Sequence, residues 1–347
     1  MFKIFRTGLM LAATYQLAAF PTFAQPVEGR QPVSGYAKPV AYPNANVAAV
    51  SASFNRARKI AGDDLYTYFD TLCIQDQLYK QRTNGAQYDG VIPAQKVFDN
   101  LYYIGQMSVS AWAVKTPQGI IVIDALNNAD EARDIMEAGL IGVGLDPKDV
   151  KYVVITHSHG DHYGGAQYFK DKYGAKLVAS AADWDVMAKP SFFDKIRKFD
   201  VAPKRGADDL TVVDGQVLSL GGEDIHFAVT PAHTPGTLSL YFKVTDNGAP
   251  HLAGMYGGIG MPRTDDLKLL QLQSMAHWAD VAKAAHVDAV IGNHPLHFNG
   301  PARFEILKYR EPGQAHPFVI GPRNYERYIN LQSECVKLSL ARDGVVP

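Results

Sequence analysis

The chain has 347 residues, 47 % of them apolar and 20 % charged, with a formal net charge of −1. That is enough apolar chain to bury one large core or two small ones. Charges of both signs are scattered rather than blocked, so neither nucleic acid nor an anionic membrane surface is indicated as a partner, and a small-molecule substrate is expected instead.

In chain order, Lys3 and Arg6 precede an apolar stretch at 9–20, and the small residues Thr22 and Ala24 follow. This three-part pattern predicts a secretory signal over 1–24, cleaved after Ala24, and a periplasmic or secreted mature chain. The apolar run is shorter than the ~20 residues that a membrane span needs. Residues 25–95 read as an N-terminal arm followed by a helical extension. The arm, to about residue 46, is rich in Pro, Gly, Ala and Val. Beyond it Phe54, Ala57, Ile60 and Ala61, and then Leu65, Tyr68, Phe69 and Leu72, recur at helical spacing. The chain has two cysteines, Cys73 and Cys335. Export is compatible with a disulfide tying the extension to the C-terminal helix, and two buried thiols are equally compatible with the count.

From residue 96 to 347 the pattern predicts one α/β domain. "KVFDNLYYIG", "VSAWAVKT" and "GIIVIDAL" read as buried strands separated by turns. "NADEARDIMEAGLIGVGL" reads as a helix capped by Asn128 or Asp130, with Ile135, Met136 and Leu140 on one face. The strand "KYVVIT" and the helix and strand of "AQYFKDKYGAKLVAS" continue the alternation of a helix-covered sheet. Strands are expected at 216–219, 224–230, 237–244 and 250–254, a helix at 266–285, a strand at "DAVIG" and a final helix at 324–341.

Between "KYVVIT" and the next helix stands "THSHGDHYGG", with His157, His159, Asp161 and His162. A loop at the C-terminal end of a strand is the usual mouth of an open α/β site. In extended chain His157 and His159 point the same way. Gly160 lets the chain turn, so Asp161 and His162 diverge toward a second, neighbouring ion. Imidazoles with one carboxylate and no thiolate suit zinc ahead of iron or manganese. His233 in "TPAHTPGTLSLYF" and His294 in "DAVIGNHPLHF" also follow apolar strands, which completes six ligands for two Zn2+ ions. One ion takes His157, His159 and His233. The other takes Asp161, His162 and His294, with His297 the alternative to His294. His226, His251, His277, His286 and His316 lack such a setting and read as surface or core residues.

With these residues in place, the sequence resembles the metallo-β-lactamase superfamily, whose His-x-His-x-Asp-His signature is matched by His157, His159, Asp161 and His162, followed by "GG" and later by "HTPG". The resemblance covers about residues 96–342 and implies an αββα sandwich with the metals at one edge of two sheets. It also implies that Asp124 supports the site from behind the ligands. Members with a bridging aspartate or a cysteine carry it just after the strand at 250–254. Here Met255 stands at about that place, which leaves the three-histidine plus Asp-His-His set of subclass B3. That subclass has a serine and further hydroxyls nearby, whereas "MYGGIGMPR" offers Tyr256 and Arg263. The expected activity is hydrolysis of the amide bond of β-lactams with a metal-activated water, Asp161 orienting it. A lactonase, an esterase or another amide hydrolase on the same six ligands is the alternative. Trp112, Tyr163, Trp184 and Tyr256 are candidates for the pocket wall.

Overall fold

The computed structural model describes residues 38–79, 90–190, 195, 196 and 198–346. The predicted signal over 1–24 and most of the predicted arm lie outside these residues.

Strands with β-branched and aromatic residues at alternate positions must bury one face each, and here they bury both. Among the described residues, β1 (Gln95–Lys96), β2 (Leu101–Tyr103), β3 (Trp112–Thr116), β4 (Gly119–Ile123), β5 (Val150–Val154), β6 (Lys176–Ser180) and β7 (Leu210–Val212) form one sheet in sequence order. Pairing is antiparallel from β1 to β4 and parallel from β4 to β7. The second sheet contains β8 (Val217–Leu220), β9 (Glu223–Val229), β10 (Leu238–Asp246), β11 (Ala249–Met255) and β12 (Ala289–Val290), in the order 12-11-10-9-8. Its pairs are antiparallel except β11 with β12.

The period of two sorts the side chains into separate cores. Trp112, Val114, Ile121, Ile123 and Val154 share one apolar core with Phe227, Leu240, Phe242, Ala253 and Met255 of the second sheet. The alternate residues Ala113, Val122, Val153 and Leu177 pack with Met136, Leu140 and Phe169 from the covering helices. The long helices Asp265–Ala285 and Pro322–Asp343 cover the other face of the second sheet, where Trp278 packs beside Tyr241 and Tyr325 lies against Gly254. This is the predicted α/β sandwich with helices on its outer faces. None of the described helices is long and apolar enough to cross a membrane.

The helical extension is built as its periodicity predicts. Asn46 caps Val47–Ala61, its side chain accepting from the Ala49 amide, and Ala57 and Ala61 are buried. Helical turns continue from Tyr66 to Leu78, with a π-helical stretch at Asp70–Gln75. Arg327 on the C-terminal helix donates to the carbonyls of Ile60 and Ala61, and Arg56 pairs with Glu334 at 2.8 Å. Cys73 and Cys335 are joined as a disulfide, which decides between the two readings of the pair. Among the elements that go beyond the sequence pattern are the helices Ala181–Met187 and Gly300–Lys308 and the short strand β7.

Candidate metal centre

Four loops meet at one edge of the two sheets. β4 ends at Ile123, and the chain then passes through left-handed geometry at Asp124 (φ 61°) and Leu126 (φ 55°). The Asp124 amide still donates to Val154 O at 2.8 Å, which keeps its carboxylate beside the end of β5. β5 ends at Val154, and the loop it feeds carries His157 and His159 before the one-turn helix Gly160–Tyr163, which holds Asp161 and His162. The two glycines after the motif are needed for close approach. A Cβ on Gly164 would stand 1.9 Å from Asn127 O, and one on Gly165 would stand 2.4 Å from Ala125 O. The turn between β9 and β10 carries His233, and the chain after β12 carries Asn293 and His294.

All six predicted ligands are brought together in two groups. His157, His159 and His233 have ligand atoms within 4.8 Å of one another, and so have Asp161, His162 and His294. The groups adjoin, the rings of His157 and His162 lying 3.9 Å apart between centroids. Asp161 Oδ2 lies 3.5 Å from His162 Nε2 and 3.9 Å from His294 Nε2. His297 belongs to neither group. Its Nε2 is 3.6 Å from Asp76 Oδ2, its ring is 5.5 Å from that of His294, and His294 is the member the geometry selects.

The ligands are aimed from behind. Asp124 Oδ1 accepts from the Thr156 amide, while Oδ2 accepts from Thr156 Oγ1, His162 Nδ1 and Asn293 Nδ2, at 2.8–2.9 Å. Thr156 spends its one hydroxyl proton on Asp124, so His157 Nδ1, 3.1 Å from the same oxygen, must be the donor between them. His294 Nδ1 donates to Ser108 O at 2.6 Å, and His233 Nδ1 faces Gly260 O at 3.4 Å. Each contact ties down Nδ1 and aims Nε2 at the cluster. His157 Nε2 and His162 Nε2 are buried without any hydrogen-bond partner. Orphaned buried nitrogens are costly in a finished fold, and a metal ion at each group would satisfy them. The donor set, five imidazoles and one carboxylate, fits zinc.

Electrostatics separates the halves. Burial lowers His157 and His233 well below the ordinary imidazole range and lowers His159 and His294 to about 4, so these rings are neutral. Burial also opposes charge on Asp161, but the neighbouring His162 and His294 overcome it and hold the carboxyl well below its usual range. Burial likewise disfavours charge on His162, yet Asp161 and Asp124 on either side push it up to about 10.

Other predicted residues fall elsewhere. Trp112, Tyr163, Trp184 and Tyr256 are buried core residues, not pocket walls. Trp112 Nε1 donates to Gly292 O and Trp184 Nε1 to Leu210 O, each satisfying its only polar atom inside the core. Met255 is the last residue of β11 and is buried in the inter-sheet core. Beyond it Gly258 and Gly260 press against His233: a Cβ on Gly258 would stand 2.5 Å from His233 Cβ. Arg263 is exposed, and its charge reaches His159. His226 stacks on Tyr241, His251 pairs with Asp288, His277 pairs with Asp214, His286 ends the helix Asp265–Ala285, and buried His316 stacks on Phe98. These five are surface or core residues, as their settings predict.

One buried carboxylate escaped the sequence. Asp183, in the first turn of Ala181–Met187, bonds to Ser158, Thr234 and Gly236. Its only local signal is the Ser180 cap that accepts from its own amide, which marks a helix start and says nothing of a site.

Comparison with known proteins agrees with this geometry. Residues 104–246 match the model of the Metallo-beta-lactamase superfamily. A hydroxyacylglutathione hydrolase of Rhodopseudomonas palustris (strain HaA2) is 29 % identical over 147 residues, 42 % of this chain and 50 % of that one. A probable metallo-hydrolase of Bacillus subtilis (strain 168) is 31 % identical over 115 residues, 33 % of this chain and 53 % of that one. The chain thus spans about half the length of the curated relatives it matches. Among solved structures, BJP-1, a subclass B3 metallo-β-lactamase of Bradyrhizobium japonicum, aligns with a TM-score of 0.61 at 24 % identity, over 71 % of this chain and 93 % of that one. The FEZ-1 metallo-β-lactamase of Legionella gormanii aligns with a TM-score of 0.63 at 23 % identity, over 74 % and 98 %. The fold is therefore the one these enzymes share.

Proposed function

We propose that this chain, whose residues 104–246 match the metallo-β-lactamase superfamily model, is an exported two-zinc hydrolase that opens the amide bond of β-lactams. The observation that carries the reading is the ligand set. Three imidazoles stand beside an Asp-His-His group, and both cysteines are locked in a disulfide, so no thiolate is available to either group.

His157, His159 and His233 would hold one ion, and Asp161, His162 and His294 the other. Zinc bound there supplies Lewis acidity, which polarises a substrate carbonyl and acidifies the water that attacks it. The chain's own residues do the rest. Asp124 and Thr156 fix the orientations of the His157 and His162 rings, so their Nε2 atoms face the cluster without reorganisation. Asp161 remains ionised, has part of its side chain open to solvent, and can orient a water or accept its proton. No serine or cysteine nucleophile is required. Export rests on the predicted signal over 1–24 and is supported by the disulfide, which persists in an oxidising compartment.

A second reading, a lactonase or thioesterase on the same ligands, is favoured by the glycines packed against His233, which offer no hydroxyl to a substrate carboxylate. The likeness to the Rhodopseudomonas hydroxyacylglutathione hydrolase points the same way. The test is a turnover panel of penicillin, cephalosporin and carbapenem substrates beside lactones and thioesters, using zinc-loaded mature protein with and without chelator. Chelator-sensitive β-lactam turnover is expected. Turnover of thioesters or lactones with all three β-lactam classes inert would overturn the first reading in favour of the second.

A further inference from the structure

We propose that Asp183 is the positioning residue of the three-histidine half of the centre, clamping the loop of His157 and His159 to the loop of His233. The inference rests on the proposed metal reading.

The carboxylate is buried, and both oxygens are fully engaged across two loops. Oδ1 accepts from Ser158 Oγ at 3.1 Å and from the Gly236 amide at 3.0 Å. Oδ2 accepts from the Ser158 amide at 3.1 Å and from Thr234 Oγ1 at 2.7 Å. Ser158 lies between His157 and His159, and Thr234 directly follows His233, so every partner adjoins a ligand of this half or sits in its loop. The burial that pushes the Asp183 carboxyl up is opposed by these four donors.

The backbone of the His233 loop is shaped for this clamp. A Cβ on Gly236 would stand 2.0 Å from Ser180 Oγ and 2.7 Å from the Asp183 amide, so glycine alone permits the approach. Ala232, just before His233, holds a positive φ of 145°, a geometry that a residue with a Cβ keeps only when its surroundings impose it. Apart from its packing against Gly258 and Gly260, His233 has one polar tether of its own, Nδ1 to Gly260 O at the long distance of 3.4 Å. His157 and His162, by contrast, are already held through Asp124. The two buried carboxylates therefore divide the work. Asp124 spans the loops of His157, His162 and Asn293, and Asp183 spans those of His157, His159 and His233.

Asparagine is not a neutral replacement, because its amide nitrogen would face two donors where the carboxylate offered an acceptor. The experiment measures zinc affinity and stoichiometry of the full chain by competition with a chromophoric chelator, for wild type, Asp183→Asn, His233→Ala, His294→Ala and the pairwise combinations. Asp183→Asn is expected to weaken one of the two ions by roughly 10–100-fold, the range for outer partners of metal ligands, and to leave the other unchanged. Added to His233→Ala it should have no further effect, whereas added to His294→Ala it should leave no tightly bound ion. Equal weakening of both ions, or two tight ions retained, would overturn the inference, since a merely structural role predicts one of those results. Should Asp183→Asn fail to fold, Thr234→Val and Ser158→Ala each remove a donor. Weakening of the same ion in both supports the clamp, and unchanged binding in both overturns it. A wild-type chain that takes up no zinc would instead remove the proposed metal reading itself.

Discussion

Joining Cys73 to Cys335 closes a loop of 262 residues, so removing that bond frees a long stretch of the unfolded chain. In the chain-entropy account, a cross-link of this span lowers the unfolded chain's entropy by about 19 cal/mol/K, or about 5–6 kcal/mol at 25 °C. Both cysteines are buried, and neighbouring bonds survive the loss: Gln77 Nε2 to Cys335 O at 2.8 Å and Arg342 Nη1 to Cys73 O at 2.9 Å. The native structure of Cys73→Ala/Cys335→Ala should therefore persist with less stability. Guanidinium unfolding followed by circular dichroism should show a fall of several kcal/mol, and wild type unfolded with reductant present should coincide with the variant. A fall below about 1 kcal/mol would refute the argument, showing that the unfolded chain gains little freedom when the link is cut.

Asp124→Asn removes a carboxylate that accepts four hydrogen bonds. Zinc affinity should drop by roughly 10–100-fold, about 1.4–2.7 kcal/mol, in a chelator competition. His294→Ala should bind one zinc fewer than wild type while His297→Ala binds the full number, counted by atomic absorption after dialysis; the reverse result would exchange their roles. Zinc uptake at pH 7 should release about one proton from the half that contains His162, which is pushed up to about 10 and is protonated before the ion enters. The imidazoles of the other half should release none, because burial already keeps His157, His159 and His233 neutral. Calorimetry in two buffers of different ionisation enthalpy reads that proton, and identical heats would count against the sign of the His162 shift.

What the sequence made legible was whatever local patterning encodes. The six residues of the two groups all sit just past apolar strands or in a turn between them, so strand-end position and residue type already singled them out. The helices at 266–285 and 324–341 carry their own periodicity, and the observed Asp265–Ala285 and Pro322–Asp343 differ only at their ends. Asp183 was invisible because its partners lie 25 to 53 positions away along the chain. No spacing rule connects an aspartate in a helix's first turn to two loops that only the folded sheets bring together. The disulfide was undecidable for the same reason, and Trp112, Trp184 and Tyr256 misled because an aromatic near a motif reads alike whether it lines a pocket or fills the core. Their burial depends on what the folded sheets and helices bring against each of them.

The substrate is illegible for a different reason. In "MYGGIGMPR" the glycines at 257, 258 and 260 are spent on packing: a Cβ on Gly257 would stand 2.1 Å from Leu238 O, and those on Gly258 and Gly260 would meet His233 at 2.5 and 3.0 Å. Gln271 Nε2 reaches Gly258 O and Gly260 O at 3.5 and 3.4 Å and helps hold the segment there. This stretch is thus committed to supporting His233 and presents backbone, not side chains, to the centre. A substrate's charged or polar groups must find partners beyond it, and exposed Arg263, three residues past Gly260 and near enough for its charge to act on His159, is the first side chain in that direction able to supply one. On the proposed reading, the departure from the family pattern at Met255 and Tyr256 therefore moves substrate selection outward and leaves the two groups of histidines and aspartate as they are.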